Sequence, residues 1–134
     1  MIFLDSSYLK GLIDEKDSFH KKALIVRDEI GEYNELTVIN TTVLVETLNF
    51  TAKTNSLAGE VYNELKCNNK IVSLTFEDYI NSLNLNRWYG NSINYSDCTI
   101  INTMFGLGIN KIATFDSDFS KIKGINILQS TLVV

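Results

Sequence analysis

The sequence predicts an α/β protein, a single open, doubly wound domain over residues 1–134 with a mostly parallel five-stranded sheet and helices on both faces. Three observations predict it. Short apolar runs alternate along the chain with longer segments of helical periodicity. Most of those runs lack the polar alternation of a half-exposed strand, so both faces of each are expected to be covered, as in a parallel sheet. With 134 residues, 45% of them apolar, no proline and seven glycines, the chain can fill one core and shows no linker, repeat or low-complexity tract.

Residues 1–5 read as a short buried strand, after which Ser6 or Ser7 offers an N-cap to a helix through Tyr8, Leu9, Leu12 and Ile13. A second helix is expected from about Ser18 to Glu32, with Phe19, Ala23, Val26 and Ile30 on one face. Leu36 to Ile39 is the next strand. Asn40-Thr41-Thr42 then cap a helix in which Val43, Glu46 and Phe50 share a stripe, placing Glu46 on an apolar face. A helix from about Ser56 to Lys66 aligns Leu57, Val61 and Leu65, and Lys70 to Leu74 follows as a strand. Thr75 caps a helix from Phe76 to about Tyr89, and the loop Gly90 to Asn94 leads into a central, mostly apolar helix that carries Asp97 and ends at Gly106 and Gly108. Lys111 to Thr114 is the fourth strand, Asp116 to about Lys121 a turn or short helix, and Ile125 to Leu128 the fifth strand.

The first apolar run is only four residues long, lacks a basic flank and meets Asp5 at once, so it reads as a strand and not as a signal peptide. No apolar run approaches the roughly 20 residues that span a bilayer. A soluble, cytoplasmic protein is the expectation, with Cys67 and Cys98 as lone thiols. Twelve Lys plus Arg against sixteen Asp plus Glu give a net charge of −4, which argues against strong non-specific binding to nucleic acid.

Part of that negative charge is concentrated in unusual places. Asp5 ends the run Met1-Ile2-Phe3-Leu4, and Glu46 interrupts Val43-Leu44-Val45 and Thr47-Leu48. Asp97 opens the stretch Cys98 to Leu107, and Asp116 follows Lys111-Ile112-Ala113-Thr114-Phe115. An ionised carboxylate among apolar neighbours costs on the order of several kcal/mol unless a cation offsets it. Taken singly, each acid has an ordinary reading as a helix cap, a helix-dipole partner or half of an ion pair. Together they share an edge, because two end strands and two sit in the first turns of apolar helices, beyond the carboxyl ends of the strands where such folds bind ligands. Clustered carboxylates suit a hard ion such as Mg²⁺ or Mn²⁺. His20 is the only histidine and falls within a helix, which disfavours hydrolysis by a Ser-His-Asp triad.

The pattern Leu4-Asp5-Ser6-Ser7, Val45-Glu46 in a helix after the second strand, Tyr95-Ser96-Asp97 and Ala113-Thr114-Phe115-Asp116-Ser117-Asp118-Phe119 resembles the PIN domain, in particular the VapC-type toxin ribonucleases. The likeness covers essentially the whole chain, and its most specific piece is the block from Thr114 to Gly124. It implies a sheet order of 3-2-1-4-5 and a metal-dependent endoribonuclease using Mg²⁺ or Mn²⁺. By position, Asp5 and Asp97 would be the main metal ligands, with Glu46 and Asp116 completing the site and all four acids catalytic. Ser6 and Thr114 would hold carboxylates or water, and Asp118 would be either a fifth acid or a surface partner of Lys121. Lys10 and Lys53, on helices that follow site segments, are candidate phosphate contacts. The resemblance further implies an RNA substrate, a cognate antitoxin and a homodimer, with Leu57, Val61 or Tyr62 as candidates for either contact face. Only Arg27 and Arg87 supply guanidinium groups, so RNA grip is expected to be weak and dependent on shape or a structured loop.

A receiver-like phospho-acceptor would need paired acids after the first strand and a lysine after the last, where Gln129-Ser130-Thr131 stand. A haloacid-dehalogenase-like phosphatase would need an Asp at position 7, which is Ser. Closer rivals are a stand-alone PIN nuclease of RNA maturation or decay, and a PIN-like module that binds RNA or protein without catalysis.

Overall fold

In a computed structural model, residues 1–128 are described. Gln129-Ser130-Thr131 lie outside the described residues. Strands β1 (Ile2–Leu4), β2 (Thr37–Asn40), β3 (Lys70–Val72), β4 (Lys111–Ala113) and β5 (Asn126–Ile127) form one sheet in the order β3-β2-β1-β4-β5. Every neighbouring pair is parallel, so the mostly parallel sheet expected from the sequence is all-parallel in the described residues. The apolar runs explain this. Ile2, Phe3, Val38, Ile39 and Ile112 are fully buried, which requires cover on both faces and so a helix in each crossover.

Register decides what lies at the carboxyl edge. Leu4 pairs with Ala113, and the Asp5 amide donates to the Ala113 carbonyl at 3.0 Å, so Asp5 and Thr114 leave their strands side by side. β1 is flanked by β2 on one side and β4 on the other, which makes its end the switch point of the sheet.

Six helices, α1 (Ser6–Ile13), α2 (His20–Tyr33), α3 (Thr41–Phe50), α4 (Ala58–Asn68), α5 (Phe76–Trp88) and α6 (Tyr95–Leu107), cover the sheet, with 3-10 turns at Thr51–Lys53 and Ser117–Lys121. Two helices begin two residues later than their apolar spacing suggests, for local reasons. The Asp17 carboxylate accepts from the Phe19 amide at 2.8 Å and holds a turn before α2, while Leu57 precedes α4 in extended backbone. His20 bonds through Nδ1 to the Gly11 carbonyl at 2.7 Å, tying α1 to α2 in a packing role.

α6 runs through the interior, burying Cys98, Ile100, Ile101 and Met104 together with Asp97, Thr99 and Thr103. A polar bridge crosses this core. Asn40, fully buried at the end of β2, caps α3 by accepting from the Val43 amide at 3.1 Å and donates to the Thr99 carbonyl and Thr103 hydroxyl of α6 at 3.3 and 3.1 Å. The helices that carry Glu46 and Asp97 are thereby fixed relative to each other. Cys98 is buried and Cys67 exposed, both as free thiols. Among the described residues, no helix is long and apolar enough to cross a membrane.

Candidate active site

All four singled-out acids line one cleft of about 300 Å³ at the carboxyl edge of the sheet. Asp5 follows β1 and precedes α1, yet its side chain makes no capping bond. Its Oδ2 instead accepts from the Ser7 hydroxyl at 2.8 Å and the Thr114 hydroxyl at 2.7 Å. Thr114 also accepts from the Asp116 amide at 3.0 Å, and the Ser7 hydroxyl accepts from the Phe115 amide at 3.0 Å. Two hydroxyls thus lock the β1 and β4 ends together around the Asp5 carboxylate.

Asp97 sits in the first turn of α6, whose N-cap Asn94 accepts from the Asp97 amide at 2.8 Å. The Asp97 side chain is turned inward, and its Oδ2 is buried without a hydrogen-bond partner. Burial first, then the charges of Asp5 and Asp116, push its pKa up to about 8. Glu46 lies in the second turn of α3, deeper in the helix than expected. The buried stripe of α3 is Val43 and Thr47, with Glu46 half-buried at its border. Its carboxyl accepts a long bond of 3.4 Å from the Ser6 hydroxyl, and burial and Asp5 raise its pKa against the lowering influence of Lys10.

Asp116 caps the 3-10 turn that follows it by accepting from the Asp118 amide at 2.9 Å. One carboxylate oxygen each from Asp97, Asp116 and Asp118 falls within 4.8 Å of the others. Asp118 also pairs with Lys121 at 2.8 Å, so it adjoins the cluster while keeping its surface partner. The cleft lining and this triad overlap at Asp97 and Asp116, and we take those two as the centre of the cluster, with Asp5 and Glu46 on one flank and Asp118 on the other.

Lys10 lines the cleft, its ammonium 5.6 Å from the centroid of the Phe50 ring. Lys53 lies exposed in the 3-10 turn after α3 and is not among the lining residues. Ser7, Asn94, Asp17 and Phe19 join the lining without having been singled out as site residues. For Ser7 a signal existed in the spacing Asp5-x-Ser7, which suits a local side-chain bond. Asn94 is an N-cap legible only once the helix start is known.

The residues fit a hard divalent cation. The donors are all oxygens, one buried carboxylate oxygen is unpartnered, and burial followed by neighbouring carboxylates raises both Asp97 and Glu46, a cost that a bound cation would offset. Asp97, Asp116 and Asp118 would hold the ion, with Asp5 and Glu46 lining the same cleft.

An all-parallel sheet of this order with a carboxylate cluster at its switch point defines a doubly wound α/β domain built around an acidic centre. The chain belongs to the PIN domain family, whose model matches residues 2–125. The crystal structure of VapC20 of Mycobacterium tuberculosis, a toxin that cleaves the sarcin-ricin loop, superposes with a TM-score of 0.73 at 19% identity, covering 90% of this chain and 94% of that one. The two share the fold. No curated protein matches the chain.

Proposed function

We propose that the protein is a Mg²⁺- or Mn²⁺-dependent endoribonuclease and the toxin of a type II toxin-antitoxin pair acting in the cytoplasm. The observation that carries this reading is the convergence of Asp5, Glu46, Asp97 and Asp116 on one cleft, with an unpartnered Asp97 oxygen at its centre. Family membership and the toxin fold support it.

The chain's own groups have distinct tasks. Ser7 and Thr114 orient Asp5 by donating to one oxygen, which leaves the other free for a ligand. The Asn40 bridge holds α6, and so Asp97, against α3. Lys10 faces the carboxylates from α1 and offsets part of their charge at Glu46, where a phosphate oxygen of the substrate would find its cation. Ser6 and Thr114 place hydroxyls beside Glu46 and Asp116, and Lys53 offers charge further along the strand's path. When bound, a divalent cation supplies Lewis acidity that activates water and stabilises charge on the leaving oxygen. Products with 5′-phosphate and 3′-hydroxyl ends are expected, with the 3′-oxygen as the group that water displaces from phosphorus.

The partners expected with this function are RNA, a cognate antitoxin and a second copy of the chain. Of the three residues considered for protein contacts, Leu57 is 66% exposed and Tyr62 37%, while Val61 is buried in the core. The test is cleavage of total RNA by purified protein with and without Mg²⁺ or Mn²⁺, beside Asp5→Asn and Asp97→Asn, together with growth on expression. Discrete metal-dependent cuts and growth arrest, both lost in the variants, are expected. Equal cutting by parent and variants, or no cutting and no metal binding by calorimetry, would refute the reading.

A further inference from the structure

The rim of the acidic cleft carries an aromatic side chain that catalysis at the carboxylates does not use. Phe19 lines the cleft and is 38% exposed, although its ring is held in place from behind. It stacks on Phe115 with centroids 4.8 Å apart and planes 7° from parallel, and Phe115 in turn leans on the buried Tyr8 ring at 6.4 Å. Gly11 makes room for this column, because a Cβ there would stand 3.4 Å from Phe115 and 3.2 Å from the Ala23 Cβ.

A column of rings that runs from the core and ends at a cleft is more than an isolated apolar residue at the surface. The outermost ring is already ordered, so a flat ligand stacking on it gives up little side-chain freedom of the protein. Its surroundings are charged in a pattern that suits one ligand. Lys22 holds its ammonium over the Phe19 ring at 5.7 Å from the centroid, as a mobile cover that a base can displace, and Lys10 and Asp17 stand in the same cleft. Carboxylates with a cation on one side, and an aromatic face with a lysine on the other, match the alternation of phosphate and base along a single strand.

We propose that Phe19 is a stacking platform for an unpaired base of the strand whose phosphodiester lies at the carboxylates, the base displacing the Lys22 ammonium from the ring so that it turns to a flanking phosphate. The inference rests on the nuclease reading and adds to it a requirement on the substrate. A base within a duplex has both faces covered by its neighbours, so the platform selects loops, bulges or ends. Selection by stacking tolerates any base, and the identity of the cut sequence must come from elsewhere.

The test is a cycle of protein and RNA changes read by fluorescence anisotropy with end-labelled single-stranded RNA. All proteins carry Asp97→Asn so that cutting does not distort binding. A set of strands, each with one abasic nucleotide, is scanned against Phe19, Phe19→Tyr and Phe19→Leu. Expected is one abasic position that weakens binding to the Phe19 protein by between about fivefold and a hundredfold. Phe19→Leu should lose a similar factor on intact RNA and nothing further on that abasic strand, while Phe19→Tyr behaves as the parent. Phe19→Leu binding intact RNA as tightly as the parent, or losing equally on every strand, would overturn the platform. Should Phe19→Leu fail to fold by circular dichroism, the abasic scan of the Phe19 protein decides alone, and a flat scan overturns the proposal. Parallel cleavage by the chain without Asp97→Asn separates the two readings: metal-dependent cutting with a flat scan sinks only the platform, and neither binding nor cutting sinks the nuclease reading and the platform together.

Discussion

The Thr114 hydroxyl donates to Asp5 Oδ2 at 2.7 Å across 109 residues of chain, joining the ends of two adjacent parallel strands at the acidic cleft. The Thr114 hydroxyl oxygen in turn accepts from the Asp116 amide. One small side chain therefore sets the position of two carboxylates.

Thr114→Val keeps the shape and removes both bonds. Partners that orient ligands are typically worth about 10- to 100-fold in activity or metal affinity; Asp5 Oδ2 keeps its bond from Ser7, while the Asp116 amide loses its acceptor, at a cost of about 1–3 kcal/mol. Cleavage is expected to fall by that factor while Thr114→Ser stays near the parent. Rates and melting temperatures of the three proteins, measured side by side, check it.

The elevated Asp97 makes stability pH-dependent in metal-free protein. A carboxyl raised to about 8 from an ordinary value of 3.8 binds its proton more tightly folded than unfolded, so stability falls as pH rises between those values. Melting in chelator should drop by several degrees between pH 5 and pH 8, and Asp97→Asn should flatten the curve. Mg²⁺ should restore the loss at pH 8, because it binds the deprotonated cluster. A metal-free curve that rises over this range would contradict the assignment.

Asn40→Ala removes a cap from α3 and strands polar groups on α6 in the core. A cost of about 2–4 kcal/mol is expected, combining a lost N-cap with unpaired buried partners. Urea unfolding of parent and variant measures it. Asn40→Asp keeps the cap acceptor but sets a fully buried carboxylate against the Thr99 carbonyl, so its cost should exceed that of Asn40→Ala.

Lys10→Met preserves the stem over Phe50 and removes the charge. RNA binding should weaken for all sequences alike, and the slope of log affinity against log salt should shrink by about one. Lys66→Met, in the last turn of α4 and outside the cleft lining, serves as the comparison, and equal effects of the two would remove Lys10 from the site.

Much of this architecture was legible from local signals. The runs at Ile2 to Leu4 and Lys111 to Ala113 carry no alternation, and both lie inside a parallel sheet. Thr75 caps α5 as expected, forming a reciprocal box with Asp78. Boundaries were less legible where a side chain competed with periodicity, as Asp17 does before α2. β3 ends at Val72, short of the expected Leu74, whose amide donates to the Thr41 hydroxyl and not to a neighbouring strand. The stripe on α3 lies one position from the expected one, because Val43 and Phe50 on either side of Glu46 fit helical spacing as well as the buried pair Val43 and Thr47 does.

The sequence by itself determined the α/β class, the helices of the first three crossovers and the placing of Asp5 and Asp116 beyond strand ends, since burial periodicity and chain direction are local properties. Only the tertiary structure decided which oxygens meet. That Ser7 joins Thr114 on Asp5, that Asp97 Oδ2 is left without a partner, that Asp118 reaches the cluster while Lys53 does not, and that Phe19 caps a ring column at the rim all depend on register and side-chain direction. Those are set by contacts between segments up to a hundred residues apart, and the spacing of residues along one segment carries no record of them.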